Sequence, residues 1–128
     1  MKLHFSWEES AGALSPSCSS SVVNKDGVSP LACLLTDDGG QVFLDAVSWL
    51  NECVGRIRKI KKSEIDFLDW SRDAWGAELT KGLVKVYSLH DENYFELLSI
   101  DSFEIALLAW LSFIQLKPRL GMTQEIEI

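Results

Sequence analysis

The chain has 128 residues, 47% apolar and 24% charged, with five tryptophans, six phenylalanines and a net charge of −7. That length suits one domain, and the composition is globular rather than disordered. The negative balance disfavours direct nucleic-acid binding, because phosphate contact needs Lys and Arg in excess. No apolar run follows Lys2, so no secretory signal is expected, and a cytoplasmic location is.

Leu3, Phe5 and Trp7 alternate with His4 and Ser6, the period of a half-buried strand. Residues 10–21 hold six serines, a proline and a glycine, and read as a Ser-rich loop. Ser29-Pro30 is a helix-start signal, but residues 31–35 read equally as a helical turn or a buried strand. Asp37-Asp38-Gly39-Gly40 is a turn.

Phe43, Ala46, Val47, Leu50, Cys53, Val54, Ile57 and Ile60 recur at steps of three and four, which predicts an amphipathic helix over about 43–60. Arg56, Arg58, Lys59, Lys61 and Lys62 crowd its end, where the helix dipole favours cations. Taking these five positives from the total leaves −12 on the rest of the chain.

Ile65 to Trp70 reads as a short strand and Ser71-Arg72-Asp73 as a turn. Leu83–Leu89 and Tyr94–Ile100 form a late β-hairpin with a four-residue loop, His90 to Asn93. Asp101 to Glu104 fits a capping box, opening a nearly all-apolar helix over about 103–116 that Pro118 stops. That apolar run is too short to span a bilayer, so it is expected to be a core helix and no membrane contact follows. Residues 121–128 read as a tail or an edge strand, with Glu125 and Glu127 alternating against Ile126 and Ile128. The expected class is α+β: a small antiparallel sheet packed against two main helices in a single domain over 1–128.

Chemistry is harder to find. Neither the GxGxxG nor the GxxxxGK[ST] phosphate loop occurs, and there is no GxSxG nucleophile elbow. His4 and His90 stand apart in sequence. Cys18, Cys33 and Cys53 are odd in number and lack CxxC spacing, which points to reduced thiols rather than a disulfide framework or a zinc site. No enzyme activity, metal or cofactor is therefore expected.

The most pointed cluster is Asp66 to Trp75, which sets two tryptophans among three aspartates and one arginine. Trp and Arg dominate interface hot spots, and nearby carboxylates speed capture of a basic partner; the other reading of the cluster is two tryptophans that cap the core. With the acidic hairpin loop, the candidate partner-binding set is Asp69, Trp70, Asp73, Trp75, Asp91 and Glu92.

In size, charge, tryptophan content and its late hairpin followed by an apolar helix, the chain resembles bacterial toxin-immunity proteins, including those of contact-dependent growth inhibition. The resemblance implies an inhibitory binding protein whose partner is a cognate protein toxin, typically a basic nuclease domain, with its active site blocked by an acidic surface. The alternative is a non-catalytic adaptor or regulator, a homodimer if the apolar helix leaves one side uncovered.

Overall fold

The structure is a computed structural model that describes residues 1–40 and 42–128. It has two antiparallel sheets and three helices, an α+β arrangement. The first sheet is ordered β2-β1-β7, from strands β1 (Lys2–Ser10), β2 (Ala13–Ser20) and β7 (Thr123–Glu127). The second runs β3-β4-β5-β6, from β3 (Phe67–Ser71), β4 (Trp75–Thr80), β5 (Leu83–Ser88) and β6 (Asp91–Ser99). Helices α1 (Pro30–Thr36), α2 (Ala46–Lys61) and α3 (Ile100–Ile114) complete the fold.

Helices α1 and α3 lie between the two sheets. Helix α1 touches β2 on one side and β4, β5 and β6 on the other; α3 touches β1 and β7 as well as β5 and β6. Each sheet therefore has one face on the core and one face outward.

The strand at Leu3, Phe5 and Trp7 is as expected, and all three side chains are buried. Phe5 meets Trp110 edge-on at 5.1 Å, and Trp7 stacks on Phe113 at 5.2 Å, which fastens β1 to α3. Residues 10–21 are not a loop. Most of them form β2, joined to β1 by the two-residue turn Ala11-Gly12, with φ of 52° and 79°. Two successive positive φ values define the turn that suits strand twist, for which Asn-Gly is the usual signal. The serines obey the strand period: Ser15, Ser17 and Ser19 oppose Glu8, Ser6 and His4 on the outward side, while Leu14 and Cys18 pack against the core.

Residues 31–35 are helical. The Ser29 hydroxyl caps α1 by accepting from Ala32 N at 3.1 Å, and Pro30 occupies the first turn. The expected 43–60 helix begins as a 3-10 turn, Phe43–Asp45, and becomes α2 at Ala46. Helix α3 starts three residues earlier than expected, because Ser99 rather than Asp101 or Ser102 is the cap, accepting from Ser102 N at 3.1 Å. The hairpin loop is also shorter than the four residues expected: β6 begins at Asp91, and an irregularity between Tyr87 and Ser88 absorbs the extra residues. The tail is an edge strand, with Ile126 opposite Leu3.

Candidate functional site

The outward faces of the two sheets differ in chemistry. On the first sheet the outward row carries His4, Ser6, Ser17, Ser19, Thr123 and Glu125, a polar solvated surface. On the second, strand pairing aligns Phe67, Thr80, Leu83 and Ser99 in one row. The next row is Asp69, Glu78, Lys85 and Leu97, and the third is Ser71, Gly76, Tyr87 and Phe95. Phe67 is 49% exposed, Leu83 46%, Phe95 45% and Leu97 51%.

Tyr87 organises the centre of this face. Its ring lies across β4 at Gly76, where an added Cβ would come within 3.0 Å of Tyr87 Cζ and 3.2 Å of Leu89 Cδ2. Glycine is thus what lets the ring cross the strand. The hydroxyl reaches β3 and donates to Asp69 Oδ1 at 3.2 Å. Desolvation, then Asp69, Glu78 and Glu92, push the Tyr87 pKa up to about 12, so the hydroxyl stays a donor at neutral pH. Beside it the Lys85 ammonium sits 4.9 Å from the Phe95 ring centroid and 5.7 Å from that of Tyr87.

Helix α2 holds β3 in place from its outer edge. Trp49 Nε1 donates to the Ser71 carbonyl at 3.2 Å, and the Arg56 guanidinium donates to the Asp69 carbonyl and to Glu52. Trp49 stacks on Trp70 at 4.2 Å, and Arg72 covers the Trp49 ring at 5.3 Å. The β3–β4 turn is pinned by Asp37, whose Oδ2 accepts from Ala74 N at 2.8 Å and Trp75 N at 3.0 Å.

The expected site residues divide on this framework. Asp69 is exposed on the outer face, and Glu92 stands near enough to act on Tyr87. Asp73 is exposed at the turn, where it packs beside Gly39. Asp91 is exposed at the far hairpin and accepts from Asn93 N at 3.0 Å. Trp75 is half-buried, 6.2 Å from Tyr94. Trp70 corrects the reading: it is 2% exposed and stacked inside the core, so it presents nothing to a partner. In Asp69-Trp70-Ser71, strand alternation sends Trp70 inward and its neighbours outward.

Phe67, Glu78, Leu83, Lys85, Tyr87, Phe95 and Leu97 were not singled out from sequence. The signal was the spacing of Leu83, Lys85 and Tyr87 in β5, which share one face by period two. The basic run is less free than its charge suggests, since Arg56 is paired with Glu52 and Lys61 bridges Asp101 at 2.6 Å and Glu104 at 2.7 Å.

Burial pushes the Cys18 thiol up to about 12, with Cys33 adding to the shift, and raises Cys53 as well. Such thiols stay protonated at neutral pH and are poor nucleophiles. Among the described residues no group of three or more His, Cys, Asp or Glu could hold a metal ion, and no helix is long and apolar enough to cross a membrane. No protein-family model, curated protein or solved structure matches the chain.

Proposed function

We propose that this chain is an inhibitory binding protein that neutralises a cognate bacterial toxin, a basic nuclease-type domain, by laying the outer face of β3–β6 over the toxin's active site. One observation carries the reading: the outer face exposes Leu83, Phe95 and Leu97 close together on β5 and β6 and Phe67 across the sheet on β3, with Asp69, Glu78 and Lys85 in the row between. At about half-exposure these four side chains offer roughly 350 Å² of apolar area in all, within the range of the largest apolar patch on an ordinary monomer, which is often functional. Burying it is worth about 9 kcal/mol gross at about 25 cal/mol/Å², before the costs of association. Asp69, Glu78 and Glu92 outnumber Lys85 on this face and supply steering toward a basic partner, and the −7 net charge adds to it.

The test is co-expression with the product of the neighbouring gene. The expected result is a stoichiometric complex in which the partner's nuclease activity is silenced. The double variant Phe67→Glu/Leu97→Glu should fold yet fail to form it. A complex that survives this double variant would refute the use of this face.

The alternative, a homodimeric adaptor, draws on α3, where Ile105 and Leu108 stay exposed on its outer side. Sedimentation separates the two readings: the inhibitor is a monomer when free, and the adaptor is a dimer broken by Ile105→Glu.

A further inference from the structure

The fold has four sheet edges, and an edge strand left open is a template for another chain. Edge strand β2 carries Pro16, which cannot donate to an added strand. Edge strand β3 has its Asp69 and Ser71 carbonyls occupied by Arg56 and Trp49 of α2. Edge strand β7 is five residues long and carries Glu125 and Glu127. Among the described residues the β6 edge is the longest of the four, at nine residues; it carries neither proline nor lysine, and no helix side chain hydrogen-bonds its backbone.

A groove runs beside that edge. It has a volume of about 130 Å³ and is lined by Val22, Val23, Val28, Pro30, Phe95 and Glu96. Val22 and Val23 are about half exposed, as are Phe95 and Leu97 on the strand itself. Glu96 is half-buried here. One of its oxygens accepts from Leu31 N at 3.1 Å, and the other is buried with no partner among the described residues. A carboxylate oxygen in that state costs free energy until a donor reaches it.

We propose that β6 is a strand-addition site for an extended segment of the protein partner, one that pairs with Phe95–Ser99 and sends a Lys or Arg toward Glu96 between apolar neighbours. This rests on the protein-binding reading above and adds to it the part of the partner that is held. Main-chain hydrogen bonds provide the attachment, and the Val22–Val23 groove and Glu96 provide the selection. Glu96 also excludes wrong strands: a purely apolar or acidic segment would bury the carboxylate without a donor, which is how an inward charge guards an edge. Burial raises the Glu96 pKa, as expected of a carboxylate still lacking a cationic partner.

The test uses the intact chain and two synthetic peptides, acetyl-Thr-Val-Lys-Val-Thr-amide and the same peptide with Glu in place of Lys. Binding is followed by amide chemical shifts. The Lys peptide should give saturable shifts in Phe95–Ser99 and Val22–Val28 at concentrations up to about 1 mM, the weak end of specific binding. The Glu peptide should bind at least about tenfold more weakly, equivalent to one decade in Kd. Glu96→Gln should fold, keep its Leu31 contact and erase that discrimination. Absence of saturable shifts at the edge overturns the proposal, as does discrimination that survives Glu96→Gln. Shifts confined to Phe67, Leu83 and Lys85 also overturn it while leaving the outer-face reading intact. Loss of the outer-face reading instead shows as a toxin complex indifferent to Phe67→Glu/Leu97→Glu.

Discussion

Asp37→Ala is the sharpest test of how the candidate site is held. In the native chain one carboxylate oxygen accepts from Ala74 N at 2.8 Å and Trp75 N at 3.0 Å, and it does so from the end of α1, 37 residues away in sequence. Each hydrogen bond to a charged group is worth about 1.5–3 kcal/mol, and a buried donor left unpaired costs about 1–3 kcal/mol. Both donors share one oxygen and Ala74 is half-buried, so water refills part of the loss. The expected cost is about 2–3 kcal/mol for Asp37→Ala, and about 1 kcal/mol for Asp37→Asn, which keeps a neutral acceptor. Urea unfolding measures both, with unchanged m-values marking a change in stability alone. The turn should also loosen, visible as faster amide exchange at Ala74 and Trp75 than at Val84 and Val86. An Asp37→Ala variant within about 0.5 kcal/mol of wild type, the range of an ordinary surface change, would refute the pinning role.

Other outcomes follow from single contacts. Ala11 holds φ of 52° in a position that suits Asn or Gly, so Ala11→Asn should raise stability by about 0.5–1 kcal/mol in thermal unfolding, and a loss would contradict the strained turn. Trp70→Ala should cost about 3–5 kcal/mol as a core cavity, whereas Asp73→Lys should leave the midpoint nearly unchanged and weaken capture of a basic partner. Burial raises Glu96 above its ordinary 4.5, so folding favours its neutral form. That advantage is whole below pH 4.5 and is lost as pH rises through the folded-state value. Glu96→Gln, neutral throughout, should therefore be more stable than wild type near pH 7 and lose its lead in acid; a lead that grows in acid would contradict the assignment.

Much of the fold was legible because it rests on local periods. The stripe from Ala46 to Ile60, the alternation of Leu3, Phe5 and Trp7, and the Ser29-Pro30 start each state their structure within a few residues. The Ser-rich strand β2 was not legible. Its turn is Ala-Gly rather than Asn-Gly, and its outward serines match loop composition as well as they match a solvated sheet face. Strand β4 was also missed, since Gly76 and Ala77 weaken its local β signal and its place is fixed by pairing with β3 and β5. At the site, Asp69 and Glu92 are exposed, whereas Trp70, named with them as a partner contact, follows the other reading of the tryptophans and caps the core. Only the register across β3–β6 reveals which side of a strand each residue takes. The same register gathers Phe67, Leu83, Phe95 and Leu97, which lie up to 30 residues apart in the chain.

The central claim, that the outer face of β3–β6 binds a basic protein, is tested most directly by hydrogen exchange on the complex formed with the neighbouring gene's product. Protection is expected to rise on β3–β6 and to remain unchanged on the serine face of β1 and β2. Protection confined to α3 or to the β1–β2 face would contradict it.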